Sequence, residues 1–61
     1  MMRTVTFNGR KILVYKTKVK IYDVDDSLDD KEAFTIVKYL YDEGFIDAEN
    51  ITCEIIHDER D

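Results

Sequence analysis

The sequence predicts an α+β fold of order β-β-α-β, in which one helix packs on a three-stranded, mainly antiparallel sheet. Three observations carry this. Residues 3–22 are rich in β-formers with apolar side chains at alternating positions. Residues 33–41 switch to a helical period, and residues 51–57 return to alternation. Asn8-Gly9 and Gly44 stand at the points where the chain should turn. With 61 residues, of which 44% are apolar, the chain forms a single small domain, residues 1–61, with one thin core.

The first strand is Arg3-Thr4-Val5-Thr6-Phe7. Asn8-Gly9 follows, and both residues tolerate positive φ, which makes the pair a strong hairpin signal. The second strand reads from about Lys11 to Tyr22, with Leu13, Tyr15, Thr17, Val19 and Ile21 inward and the lysines outward. A two-residue loop would pair Val5 with Ile12, on the lysine face. A bulged loop that includes Arg10 pairs Val5 with Leu13 and Phe7 with Lys11. The bulge is preferred because it gathers more apolar side chains on one face.

Ser27 reads as the helix N-cap, with Asp29 and Asp30 in the first turn, where acids favour the positive end of the dipole. Ala33, Ile36, Val37, Leu40 and Tyr41 follow the i, i+3, i+4, i+7, i+8 spacing of a buried stripe, flanked by Phe34. Tyr39 lies off that stripe near Glu32 and Glu43. It reads as an exposed tyrosine, either an interface residue or one without a role. Gly44 fits the left-handed position that ends a helix. In the last strand Ile51, Cys53, Ile55 and His57 share one face, and residues 58–61 are expected to fray. That strand pairs either beside the first (order 2-1-3) or beside the second through a right-handed crossover (order 1-2-3), and both remain open.

Charge is unevenly laid out. Residues 1–20 carry six basic groups and no acid, whereas residues 21–61 carry all fourteen acids and three bases. The predicted connectivity brings Asp23, Asp25, Asp26, Asp29, Asp30 and Glu32 to the same end of the fold as Asp58, Glu59 and Asp61. Arg10 and Lys11 are expected at the opposite end, with Asp42, Glu43, Asp47 and Glu49. The uncovered sheet face would show Ile12, Val14, Tyr22 and Ile56 beside Lys16, Lys18 and Lys20. A partner or a second copy of the chain would cover it, and exposed edge strands offer another route to a homodimer.

Several function classes are disfavoured. A single cysteine, Cys53, excludes an internal disulfide and fits a reducing, cytoplasmic setting. No apolar run is long enough to span a membrane, and no charged-then-apolar leader suggests secretion. The run Asp23-Val24-Asp25-Asp26-Ser27-Leu28-Asp29 has the oxygen spacing of a calcium loop. Leu28, however, stands where the sharp turn needs glycine, and Phe34 where the closing glutamate would fall, so the run reads as a helix cap and an acidic loop. Cys53 and His57 are too few for a zinc site. Cys53 reads as a small core residue and His57 as a strand-end residue. No metal or cofactor is expected, and one helix on one sheet offers few clefts in which a carboxylate pair could work as acid and base, so no enzyme activity is expected.

The sequence therefore reads as a small non-catalytic interaction or inhibitor protein. Its acidic end, built from Asp23, Asp25, Asp26, Asp29, Asp30 and Glu32 with Asp58 and Glu59 assisting, would dock on a basic surface of another protein. The compact acidic build resembles, in general character, the small acidic proteins of phages and mobile elements. That resemblance implies a nucleic-acid mimic, with carboxylates standing in for phosphates in a DNA- or RNA-binding groove. The rival reading is direct nucleic-acid binding through Lys16, Lys18, Lys20 and Tyr22, with Arg10 and Lys11 nearby. A structural homodimer is the third.

Overall fold

The computed structural model describes residues 2–47 and 51–57. It has strands β1 (Arg3–Phe7), β2 (Arg10–Val14), β3 (Lys18–Tyr22) and β4 (Thr52–Ile56), with helix α1 (Asp30–Asp42) between β3 and β4. The class is α+β with one helix, as the sequence predicts, but the sheet has four strands in the order β1-β2-β3-β4. The first three are antiparallel and β4 runs parallel to β3, so the sheet is mixed. Of the two orders left open, the chain adopts the one that seats the last strand beside the strand preceding the helix.

The extra strand arises because the predicted strand 11–22 folds back at Lys16-Thr17, where the Tyr15 amide donates to the Lys18 carbonyl at 2.7 Å. Burial explains the reversal. A continuous strand could send only one parity of residues inward. The turn pairs Val14 with Val19 and Ile12 with Ile21, so even positions before it and odd positions after it share one face. All four of these residues are buried in the core beneath the helix.

The same change sets the first hairpin. Val5 pairs with Ile12 and Phe7 with Arg10 through a two-residue Asn8-Gly9 turn, so the bulged register is incorrect. Asn8 at φ 57° and Gly9 at φ 77° supply the two positive angles such a turn requires. The bulged register requires Leu13 to face inward. Leu13 instead lies on the outer face with Tyr22 and Ile56.

The helix starts two residues later than Ser27 suggests: Asp29 is the N-cap, its Oδ1 accepting the Glu32 amide at 2.8 Å. Its C-terminus closes as predicted at Gly44, φ 80°. The Gly44 amide donates to the Tyr41 carbonyl at 3.0 Å and the Phe45 amide to the Leu40 carbonyl at 2.9 Å, the two bonds of a Schellman motif. Ile36 and Leu40 are fully buried, but the helix is turned relative to the predicted stripe. Tyr39 faces the sheet and stacks on Phe7 with ring centroids 4.4 Å apart. Tyr41 and Phe34 face away. Among the described residues, no helix is long and apolar enough to cross a membrane.

Candidate functional site

Four strands instead of three reverse the direction in which the chain enters the helix. The start of β2 and the end of β3 now lie at the same end of the sheet. Arg10, expected far from the acidic loop, sits in the middle of it.

Arg10 is an inward-facing residue at the first position of β2, and its guanidinium is largely buried. Nε and Nη2 donate to the two carboxylate oxygens of Glu32 at 3.1 and 3.2 Å, a bidentate pair. Nη1 donates to Asp23 Oδ1 at 3.3 Å and to the Tyr22 carbonyl at 3.0 Å, and Nη2 also reaches Ser27 Oγ at 3.1 Å. The hydrogen bond to Glu32 raises the Arg10 pKa above its ordinary value; desolvation opposes this, and the charges of Glu32, Asp23 and Asp25 reinforce it.

The predicted acidic residues therefore divide into two groups. Asp23, 3% exposed, is a buried partner of Arg10 and accepts the Leu28 amide at 3.0 Å on the same oxygen. Glu32 is held by Arg10, and Asp29, though exposed, is engaged as the cap. Asp25, Asp26 and Asp30 stand in solvent. Asp58 and Glu59 lie outside the described residues. The sheet does carry β4 to this end, where the Asp23 amide donates to the Ile56 carbonyl at 2.7 Å.

Asp25 accepts the Ser27 hydroxyl at 2.7 Å, and this bond holds its carboxyl below the usual carboxylate range. A depressed carboxyl stabilises the folded chain above its ordinary pKa, and that contribution fades as pH falls through the folded value. Ser27→Ala is expected to move the Asp25 carboxyl upward in an NMR pH titration. Its stability deficit should be present at neutral pH and shrink in strong acid. An unchanged Asp25 titration would rule out Ser27 as the cause.

The outer sheet face differs from the one expected. Lys16 lies in the turn, while Lys11, Lys18, Lys20 and Tyr22 share the outer face with Leu13, Glu54 and Ile56. Lys11 Nζ stands 5.0 Å from the Tyr22 ring centroid, and Lys18 and Lys20 stand 5.9 and 5.8 Å from that of Tyr15. Lys18 also approaches Glu54 at 3.7 Å. Leu13, Tyr22 and Ile56 are buried within the single chain, so this face shows less apolar surface than the sequence implies.

No protein-family model matches the chain, and no curated protein or solved structure is significantly similar to it. Function must therefore be argued from surfaces. Cys53, expected in the core, is exposed on β4, yet partial desolvation pushes its thiol pKa up, which disfavours the reactive thiolate. Among the described residues the large exposed apolar side chains are Met2, Val24, Phe34 and Tyr41. Two of these, Phe34 at 69% and Tyr41 at 54% exposed, lie two turns apart on α1 and so share one ridge. Asp30 precedes Phe34 by four positions, and the Lys38–Asp42 pair at 3.0 Å completes the ridge. The sequence places Tyr41 in the buried stripe and Phe34 at its flank, and the structure exposes both.

Proposed function

We propose that this chain is a non-catalytic protein-binding module that uses the outward ridge of α1. Phe34 and Tyr41 are the anchors, and the exposed carboxylates of Asp25, Asp26 and Asp30 form an acidic margin. The partner is a protein with an apolar recess rimmed by basic residues. The observation that supports this most is the exposure of two aromatic rings on one ridge that the core leaves unused. The reading keeps Asp25, Asp26 and Asp30 of the acidic docking surface expected from the sequence; it drops Asp23 and Glu32, which Arg10 engages, and Asp29, which caps the helix, while Asp58 and Glu59 lie outside the described residues. A nucleic-acid mimic is the sharper form, in which the partner's basic rim is its own DNA- or RNA-binding groove.

A photo-reactive phenylalanine analogue at position 34 tests this by covalent capture in cells. Capture should fall when Asp25, Asp26 and Asp30 are replaced together by asparagine, and in proportion to added salt. Tyr41→Ser should weaken binding to the captured partner by roughly thirtyfold, as loss of a hot-spot side chain of about 2 kcal/mol implies. Displacement by DNA or RNA would support the mimic. Capture indifferent to both Tyr41 and the three acids would defeat the proposal.

A second reading rests on the outer sheet face, where Lys11, Lys18 and Lys20 flank two tyrosines. If the chain binds single-stranded nucleic acid and only Lys18→Gln with Lys20→Gln releases it, this face is the working surface and the helix ridge is not.

A further inference from the structure

The sheet ends at β4, and among the described residues no strand pairs with the outer side of that strand. β4 is also left open on its inner side. Cys53 is the lateral neighbour of Val19 and Ile55 that of Ile21, so both face the layer of α1. Val19 and Ile21 are fully buried, yet Cys53 is exposed, and Ile51 and Ile55 are only half-buried. The covering layer reaches the other edge instead. There Tyr39 stacks on Phe7, Arg3 Cζ stands 5.1 Å from the Phe45 ring centroid, and Val5 in the middle of β1 is buried.

Backbone hydrogen bonds fix which groups of β4 are left over. The Thr52 amide donates to the Thr17 carbonyl at 3.0 Å, and the Ile56 carbonyl accepts the Asp23 amide at 2.7 Å. Residues 52 and 56, and 54 by alternation, therefore turn their amides and carbonyls toward β3. Those of Cys53 and Ile55 point away from the sheet, where an added strand would meet them.

We propose that the added strand is β4 of a second copy of this chain, paired antiparallel about a two-fold axis at Cys53. The edge is self-complementary in this register. Cys53 faces its own counterpart, Ile51 faces Ile55, and Thr52 faces Glu54, so an identical row completes the half-buried inner row. Moving the axis one residue, to Glu54, would set two carboxylates directly opposite each other, which disfavours that register. Charge supports the same choice. Lys20 flanks Glu54 and Lys18 flanks Thr52 within each copy, so the outer row across the seam reads Lys20, Glu54, Thr52, Lys18 with no two like charges side by side. The exposed Asp25 and Asp26 follow β3 at the end of the sheet where β4 finishes, and the Lys16-Thr17 turn lies at the end where β4 begins. Antiparallel pairing thus sets the acidic loop of each copy toward the lysine-bearing turn of the other and keeps the two acidic loops apart. The inference goes beyond the docking surface of α1 and does not rest on it.

Sedimentation of the reduced full chain at rising concentration tests the pairing, and the mass should approach twice that of the monomer. In an antiparallel bonded pair the Cα atoms stand about 5.5 Å apart, within reach of a disulfide. Mild oxidation at associating concentrations should therefore trap a covalent dimer through Cys53, the single cysteine. Moving the thiol to the other edge, in Thr4→Cys/Cys53→Ser, should lose the trapped dimer. Thr52→Glu sets a carboxylate opposite Glu54 twice over and should associate roughly fivefold or more weakly than Thr52→Lys. Thr52 is exposed, so both variants should fold. A chain that sediments as a monomer up to about 1 mM, trapping at position 4 as efficient as at position 53, or equal association of the two Thr52 variants would each overturn the proposal. None of these readouts involves Phe34, so the docking surface stands or falls separately.

Discussion

Arg10→Met is expected to cost the domain roughly 3–5 kcal/mol, the range for removing one partner of a buried ion pair. A chain of 61 residues has about 3–9 kcal/mol in total, so the variant should be partly or wholly unfolded at room temperature. The loss comes less from the missing attraction than from what is left behind. Asp23 is 3% exposed and would keep a charge with no cation beside it. Glu32, 22% exposed, can turn to water and should contribute less. The double variant Arg10→Met/Asp23→Asn separates the two causes. Asparagine keeps an oxygen for the Leu28 amide but carries no charge, so part of the stability should return. Urea unfolding of the single and double variants measures this directly. A loss under about 1 kcal/mol for Arg10→Met would mean that the network is solvated and weak.

This network also marks where sequence reasoning failed. The helix, its glycine stop, the first strand and the last strand are legible, because each has a local signal: a period, a cap or a turn dipeptide; the inward face of the last strand is legible only in part, since Ile51 and Ile55 pack on the core while Cys53 is exposed. The turn at Lys16-Thr17 had none. No glycine, proline, asparagine or aspartate occurs between Lys11 and Tyr22, and unbroken β-formers read as one strand. What makes the chain reverse is nonlocal: only after folding back can Ile12, Val14, Val19 and Ile21 all meet Ile36 and Leu40. That single omission moved Arg10 to the wrong end, inverted the faces of β2 and selected the wrong register for the first hairpin. The acidic loop itself was found, and the return of β4 to its side was inferred correctly up to Ile56. The division of its acids into buried and exposed was not, because it depends on one arginine whose position follows from the missing turn. The sequence places His57 at the strand end and weighs it only with Cys53. Its neighbours Asp23 and Asp26 join it only through the parallel pairing of β3 with β4.

The rotation of α1 separates residues that hold the fold from those free to hold something else, and substitutions on the helix should make that separation measurable. Leu40→Ala is expected to cost roughly 2–5 kcal/mol, since Leu40 is fully buried and its removal leaves a cavity between helix and sheet. Tyr39→Ala should also destabilise, through loss of its stacking on Phe7. Tyr41→Ala, one residue further and 54% exposed, should stay within about 0.5 kcal/mol of the parent. The predicted stripe reverses the last two, so the order of the two tyrosine variants in urea discriminates between the orientations of the helix. The outcome bears on function as well. A side chain whose loss leaves folding intact while binding fails is held on the surface for a partner, and the core gains nothing from it. If Tyr41→Ala instead unfolds the chain as readily as Leu40→Ala, the ridge belongs to the core and the docking surface proposed for it does not exist.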